Sequence, residues 1–158
     1  MILPNKSIKF ALGGTLFGWT LNKDQSFEIL DYFFFEMGQT LIDTADSYSQ
    51  WKEGNKGGES EQIIGKWKSS RQIQRNEIFV ATKIGKKKNI GNSKNTFSLA
   101  IEDCLSRLEV DFIDLLFIHQ PPDYSFENLA ESIALAHKSN KIKYFGLSNF
   151  SLNQIIQS

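Results

Sequence analysis

The sequence predicts an α/β protein, with about five βα units wound into part of a parallel (β/α)8 barrel of the TIM type. Short apolar runs alternate with longer segments of helical period, the pattern of repeated βα units around a parallel sheet. The runs are mostly apolar along their length, as expected of strands with helices on one face and a packed interior on the other. Four of them close on polar residues: Asp43, Lys83, His119 and the pair Ser148-Asn149. In a parallel barrel every strand ends on one mouth, so these residues converge although tens of positions separate them. An open doubly wound sheet predicts instead a glycine-rich phosphate turn leading directly into a helix. Here Gly13-Gly14-Thr15 runs on into Leu16-Phe17-Gly18-Trp19, and helix signals begin only near Asp24.

Unit one is a strand over residues 8–16 and a helix over about 24–37. Phe27, Leu30 and Phe34 form that helix's apolar stripe, and Gly38 stands where a C-terminal glycine ends a helix. Unit two is a strand over 40–43, a polar glycine-bearing loop over 47–58, and a helix from 59 to about 70 with Ile63, Ile64 and Trp67 on one face. Unit three is a strand over 78–83, a loop rich in Lys, Asn and Gly, and a helix over about 95–108. Unit four is a strand over 112–119, then Pro121-Pro122, which forbid an immediate helix, then a helix over about 126–139. Unit five is a strand over 142–147, after which Ser151 and Gln154 have the spacing of a capping box. No stretch between units is long enough for a linker, so residues 1–158 read as one domain.

Composition narrows the function classes. Lys plus Arg balances Asp plus Glu at 18 each, so no net field draws nucleic acid or an anionic membrane. Lys86-Lys87-Lys88 reads as a solvated loop more readily than as a phosphate contact. The one cysteine, Cys104, fits a reduced compartment and shares a helix face with Phe97, Ile101, Leu105 and Leu108, which points to core packing. The first residues lack the pattern of a signal peptide, and no run reaches the roughly 18 apolar residues of a membrane span. The expectation is a soluble cytoplasmic protein. Two histidines and one helical cysteine make no metal-ligand set.

The polar residues at the strand ends, with Tyr48 five positions after Asp43, suit proton transfer. Reducing a carbonyl requires hydride delivery to carbon and a proton for the developing alkoxide. A phenol such as that of Tyr48 is an acid, sluggish near neutrality at a pKa of about 10. A neighbouring ammonium favours the phenolate, which gives Lys83 a role, and a carboxylate, Asp43, would hold that ammonium charged and oriented. His119 can donate a hydrogen bond to the carbonyl oxygen or pass a proton. Read singly, Asp43 also fits a cap, Tyr48 a packed aromatic and His119 a hydrogen-bonded core histidine. Lys83 at the end of an apolar strand is harder to explain as a surface charge. Asp114, inside strand four, suits a structural hydrogen bond, and His137 suits the surface. Glu59 and Glu61 sit where carboxylates favour a helix start, with an approach to cofactor or substrate the lesser reading.

The chain resembles the N-terminal portion of an aldo-keto reductase. The matching segments are Leu12-Gly13-Gly14-Thr15 with Phe17-Gly18, Ile42-Asp43-Thr44-Ala45-Asp46-Ser47-Tyr48, and Gly58-Glu59-Ser60-Glu61 with Ile64-Gly65. To these are added Ala81-Thr82-Lys83, Asp111-Phe112-Ile113-Asp114-Leu115 through His119, and the run Lys141 to Phe150, in the family's order and spacing. The resemblance implies an NADP(H)-dependent reductase of a small aldehyde or ketone with the catalytic tetrad Asp43, Tyr48, Lys83 and His119. It also implies that Ser148 and Asn149 hold the nicotinamide carboxamide, and that Gly14, Thr15 and Asp43 border the cofactor. A full barrel of this type runs to about 250 residues or more, so the chain is expected to be truncated after the fifth strand. The units it lacks are those that carry the adenosine and 2′-phosphate contacts in the family. Two classes of function follow: an active oxidoreductase, or an inactive remnant serving as a binding or assembly module. Open strand edges suit self-association or pairing with a complementing C-terminal half.

Overall fold

Five short strands lie side by side in the order in which the chain makes them. A computed structural model describes residues 10–86, 94–122 and 125–157. The strands are β1 (Ala11–Gly13), β2 (Leu41–Asp43), β3 (Phe79–Ile84), β4 (Ile113–Ile118) and β5 (Ile142–Leu147), all parallel, with β1 and β5 at the edges. Helices α1 (Lys23–Asp31), α2 (Glu59–Ser70), α3 (Lys94–Leu108), α4 (Phe126–Lys138) and α5 (Leu152–Gln157) follow the strands in turn. Sequential order without a reversal is an arc of a barrel; a doubly wound sheet changes direction at a switch point.

The pairing register places the site. Asp43 pairs with Ala81, and Lys83 lies two residues further along β3, hence on the same face. Lys83 in turn pairs with Phe117, and His119 lies two residues beyond that. The stagger from strand to strand is the shear that closes barrels, and it steps these three residues along one rim. The alternate residues Ile42, Val80, Ile84, Leu116 and Ile118 face the helices and are buried. Ile42 and Val80 pack with Leu30, Phe33, Ile64 and Trp67. Ile84, Leu116 and Ile118 pack with Phe97, Ile101, Cys104, Leu129 and Ile133.

Several boundaries differ from the sequence reading. The first strand is Ala11–Gly13 rather than 8–16, because the chain turns after Gly14, with Phe17 N donating to Gly14 O at 3.1 Å. Its expected start at Ile8 lies outside the described residues, as do Lys87 and Lys88. The first helix begins at Lys23, since Asn22 and Gln25 cap it reciprocally at 3.0 and 3.1 Å. After Asp31 it widens over Tyr32–Glu36, where Met37 N donates to Tyr32 O at 3.0 Å. That wide turn buries Phe33 while Phe34 meets the Trp67 ring edge-on at 5.7 Å. Gly38 ends it at φ +61°, as its position suggested. Lys83 is followed by one more strand residue, Ile84, and His119 stands just past the end of β4. Asp114 is buried and structural: it accepts from Val80 N at 2.9 Å and pairs with Arg75. Ser151 and Gln154 form the expected capping box on α5.

Candidate active site

Lys83 is the hub of the mouth. Its Nζ lies 2.7 and 2.6 Å from the two Asp43 oxygens, 2.9 Å from Thr44 O and 2.9 Å from Tyr48 Oη. Its side chain is only 12% exposed, so the ammonium has exchanged water for these four acceptors. Tyr48 is brought in by the loop after β2, which stays pinned to β3 through Thr44 N to Ala81 O and Asp46 N to Lys83 O, each 2.9 Å. The next residue, Ser49, is buried at φ +68° with its hydroxyl donating to Phe17 O at 2.7 Å. Gly58 N donates to Tyr48 O at 3.3 Å from the far side of the loop. Lys83 thus donates to the phenol oxygen of Tyr48. The separation of that oxygen from Asp43 Oδ2, 3.5 Å, is too long for a strong O–H···O bond.

His119 sits beside this pair. Its backbone N donates to Ile84 O at 2.8 Å, and its ring stands edge-on to Tyr48 with centroids 6.2 Å apart. Nδ1 lies 3.4 Å from the Ser47 hydroxyl. Burial first, then the positive charges of Lys83 and Lys86, pull its pKa from 6.5 down to about 4, so the ring is neutral near pH 7. One nitrogen can then donate a hydrogen bond while the other accepts.

The residues after β5 close the site. Ser148 N donates to Ile118 O at 2.9 Å. Asn149, at φ +60°, donates its amide to His119 O at 2.7 Å and to the Ser148 hydroxyl at 3.1 Å. That arrangement presents a hydroxyl donor and an amide oxygen side by side, the complement of a carboxamide. On the other flank Gly14 N donates to Asp43 O at 2.7 Å, and Ser60 donates to Gly14 O at 2.8 Å. A Cβ on Gly14 would lie 2.6 Å from the Ser60 hydroxyl, so glycine permits this approach. Thr15 is half-buried beside it.

The structure thus brings Asp43, Tyr48, Lys83 and His119 together, with Ser148-Asn149 and Gly14-Thr15 on either side. Glu61 departs from expectation. It lies in the first turn of α2 but is wholly buried, and it accepts from Thr82 Oγ1 and Arg107 Nε, each at 2.6 Å, instead of capping the helix. The sequence signal that was missed is Arg107, which falls beside Cys104 and Leu108 on the buried stripe of α3. Glu59 does act at the helix start, accepting from Lys56 N and Gly57 N at 2.7 and 3.2 Å. Cys104 is buried in the core, as its stripe implied, and His137 is exposed. Among the described residues no group of His, Cys, Asp and Glu suits a metal ion, and no helix is long and apolar enough to cross a membrane.

The family profile described as "Aldo/keto reductase family" matches residues 9–158. The chain belongs to the aldo/keto reductase family. It is 37% identical over 163 residues to a Saccharomyces cerevisiae protein provisionally named aryl-alcohol dehydrogenase AAD14, covering 94% of this chain and 40% of that one. Among solved structures, the holo form of an aldo-keto reductase from Bacillus halodurans superposes with a TM-score of 0.77 at 29% identity, over 93% of this chain and 48% of that one. An aldo-keto reductase from Klebsiella pneumoniae in complex with NADPH superposes with a TM-score of 0.76 at 21% identity, over 93% and 47%, a likeness of fold. This aldo/keto reductase chain therefore spans about half the length of the relatives it matches, and its arc of five strands is part of their barrel.

Proposed function

We propose that this chain is an oxidoreductase that reduces an aldehyde or ketone with NADP(H), with Tyr48 as general acid. The observation that carries the reading is the ammonium of Lys83, held 2.6 Å from Asp43 and 2.9 Å from the Tyr48 hydroxyl. Tyr48 donates its proton to the oxygen of the carbonyl. Lys83 stabilises the negative charge left on the phenol through a charge-assisted hydrogen bond, and Asp43 keeps that ammonium aimed. Neutral His119 donates a hydrogen bond to the same carbonyl oxygen and orients it.

When bound, the nicotinamide cofactor supplies the hydride. The residues present fit its carboxamide: the Ser148 hydroxyl donates, the Asn149 side-chain oxygen accepts, and both are anchored, one through Ile118 O and the other through His119 O. Gly14, Thr15 and Asp43 border the same space. The choice of NADP(H) is supported by the NADPH named with the Klebsiella structure and by membership of the family. A reduced cytosolic setting suits the buried, unpaired Cys104.

A second reading, a binding or assembly module without turnover of its own, is favoured by one surface. On the helix side of β5, Phe145 is 56% exposed. With Phe126, Leu129, Ile133 and Leu147 it lines an apolar cleft of about 500 Å³, which self-association or a complementing C-terminal half would cover.

The test is NADPH consumption with simple aldehydes by the purified 158-residue chain and its Tyr48→Phe variant. Turnover is expected to fall about 10²- to 10⁴-fold in the variant with NADPH affinity little changed. Equal rates in the two proteins would mean that another group supplies the proton. No turnover in either, with an oligomeric mass by sizing, would favour the module.

A further inference from the structure

One hydroxyl at this mouth is left without a task by the chemistry above. Ser47, the residue before Tyr48, is wholly buried, and its Oγ lies 3.4 Å from His119 Nδ1. Its backbone is held in place: Asp46 N donates to Lys83 O at 2.9 Å, Tyr48 N to Ala45 O at 3.2 Å and Gln50 N to Ser47 O at 3.2 Å. His119 is clamped on both sides of its Cα. Its own N donates to Ile84 O at 2.8 Å, and its O accepts from the Asn149 amide at 2.7 Å. With both backbones fixed, what remains to be set is the rotation of the imidazole and the nitrogen that carries its proton.

Near pH 7 the His119 ring is neutral, with one N–H and one bare nitrogen, so its two tautomers act on a carbonyl oxygen in opposite ways. The form with Nε2–H donates to that oxygen from the side of the ring away from Ser47. The form with Nδ1–H leaves a lone pair there instead. Ser47 decides between them. A hydroxyl can donate or accept, and among the described residues His119 Nδ1 is the hydrogen-bond partner of this one. Accepting from Nδ1–H would strand the buried Ser47 O–H without an acceptor, whereas donating to a bare Nδ1 satisfies it. The proton is thereby driven to Nε2. At 3.4 Å the bond is long, and catalytic hydrogen bonds of this kind tighten as the substrate complex forms.

We propose that Ser47 is a positioning residue for the carbonyl reduction: its hydroxyl donates to His119 Nδ1, fixes the Nε2–H tautomer and holds that N–H ready for the substrate oxygen. One short segment, Ala45 to Tyr48, then sets both donors that the oxygen meets, Tyr48 directly and His119 through Ser47. The use made of the Nε2 proton rests on the reductase reading; the tautomer itself does not.

The test is proton–nitrogen correlation NMR of the full chain labelled at the ring nitrogens of its two histidines, which separates a protonated nitrogen from a bare one. The signals of His137, exposed on α4, are assigned by their loss in His137→Gln. The natural chain is expected to show His119 with a protonated Nε2 and a bare Nδ1. Ser47→Ala should move the tautomer ratio about tenfold toward Nδ1–H, the worth of one hydrogen bond, and Ser47→Thr, which keeps the hydroxyl, should restore it. With NADPH and a simple aldehyde, kcat/KM of the alanine variant should fall about three- to tenfold and recover in the threonine variant. A protonated Nδ1 in the natural chain overturns the proposal without any variant having to fold. A tautomer ratio that Ser47→Ala leaves unmoved overturns it as well. The NMR readout also separates the two readings. A ratio governed by Ser47 in a chain that turns over no aldehyde would refute the reductase and leave the Ser47–His119 bond standing. Turnover that depends on Tyr48 and is indifferent to Ser47 would do the reverse.

Discussion

Replacing Arg107 with Met should unfold this chain far more readily than the position's distance from the mouth suggests. Arg107 Nε donates to Glu61 Oε2 at 2.6 Å; the Glu61 side chain is wholly buried and that of Arg107 is 18% exposed. Methionine fills much of the stem's volume, so the loss is the ion pair rather than a cavity. Removing one partner of a buried pair costs about 3–5 kcal/mol, because a carboxylate is left in low dielectric without its cation. Thr82 still donates to Oε1 at 2.6 Å, which places the expectation at the lower end, about 3 kcal/mol. For a domain of this size that is a fall in Tm of about 6–12 °C. Urea unfolding followed by far-UV circular dichroism measures it, and the double variant Glu61→Gln/Arg107→Met should recover about half, since the stranded charge is gone. The arrangement also braces the site: a Cβ on Gly58 would lie 2.5 Å from Arg107 Nε, and Gly58 N holds Tyr48 O. An Arg107→Met protein within about 0.5 kcal/mol of the natural chain, or a double variant no better than the single, would refute the reasoning.

Two further outcomes follow from the same packing. Gly65→Ala should cost about 1–3 kcal/mol despite the better helix propensity of alanine. The added Cβ would meet Arg107 O and stand 2.8 Å from Leu108 C, and backbone at the end of α3 cannot step aside as a side chain would; a neutral or stabilised variant in the same urea assay would show that the two helices separate easily. For pH, His119 has a folded pKa of about 4, depressed from 6.5 by burial and then by Lys83 and Lys86. Between those values only the unfolded chain takes up the proton, so stability present above pH 6.5 is lost as pH falls toward 4, by up to about 3 kcal/mol. His119→Gln should flatten that part of the stability–pH curve, and identical slopes in the two proteins would contradict the assignment.

The alternation of apolar runs with helical periods was enough to place five strands and their helices, because core-facing positions repeat with the geometry of each element. The polar residues at strand ends were legible as a set: singly Asp43 also fits a cap and His119 a core histidine, but the recurrence of Asp43, Lys83 and His119 at successive strand ends pointed to a mouth. The ordered motifs pointed to one family, and the profile match over residues 9–158 shows it. Boundaries set by local hydrogen bonding were read less well. The cap at Asn22 and the wide turn at Tyr32–Glu36 depend on which backbone groups find partners, and composition does not reveal that.

What the sequence by itself determined is therefore the kind of fold and the identity of the rim residues, since both are written in periodicity and in the cost of placing charge at an apolar strand end. Tertiary structure alone decided the rest. The stagger of β2, β3 and β4 aligns Asp43, Lys83 and His119 on one rim, and the loop after β2, pinned to β3 and tied through Ser49 to Phe17 O, holds Tyr48 within 2.9 Å of Lys83. Glu61 became a buried partner of Arg107 rather than a helix cap, and Trp51 came to rest against Trp19, 32 positions away in the chain. The physical reason is common to all four: each depends on contacts between groups far apart in sequence, and the energy of burying or pairing them exists only once the strands have aligned.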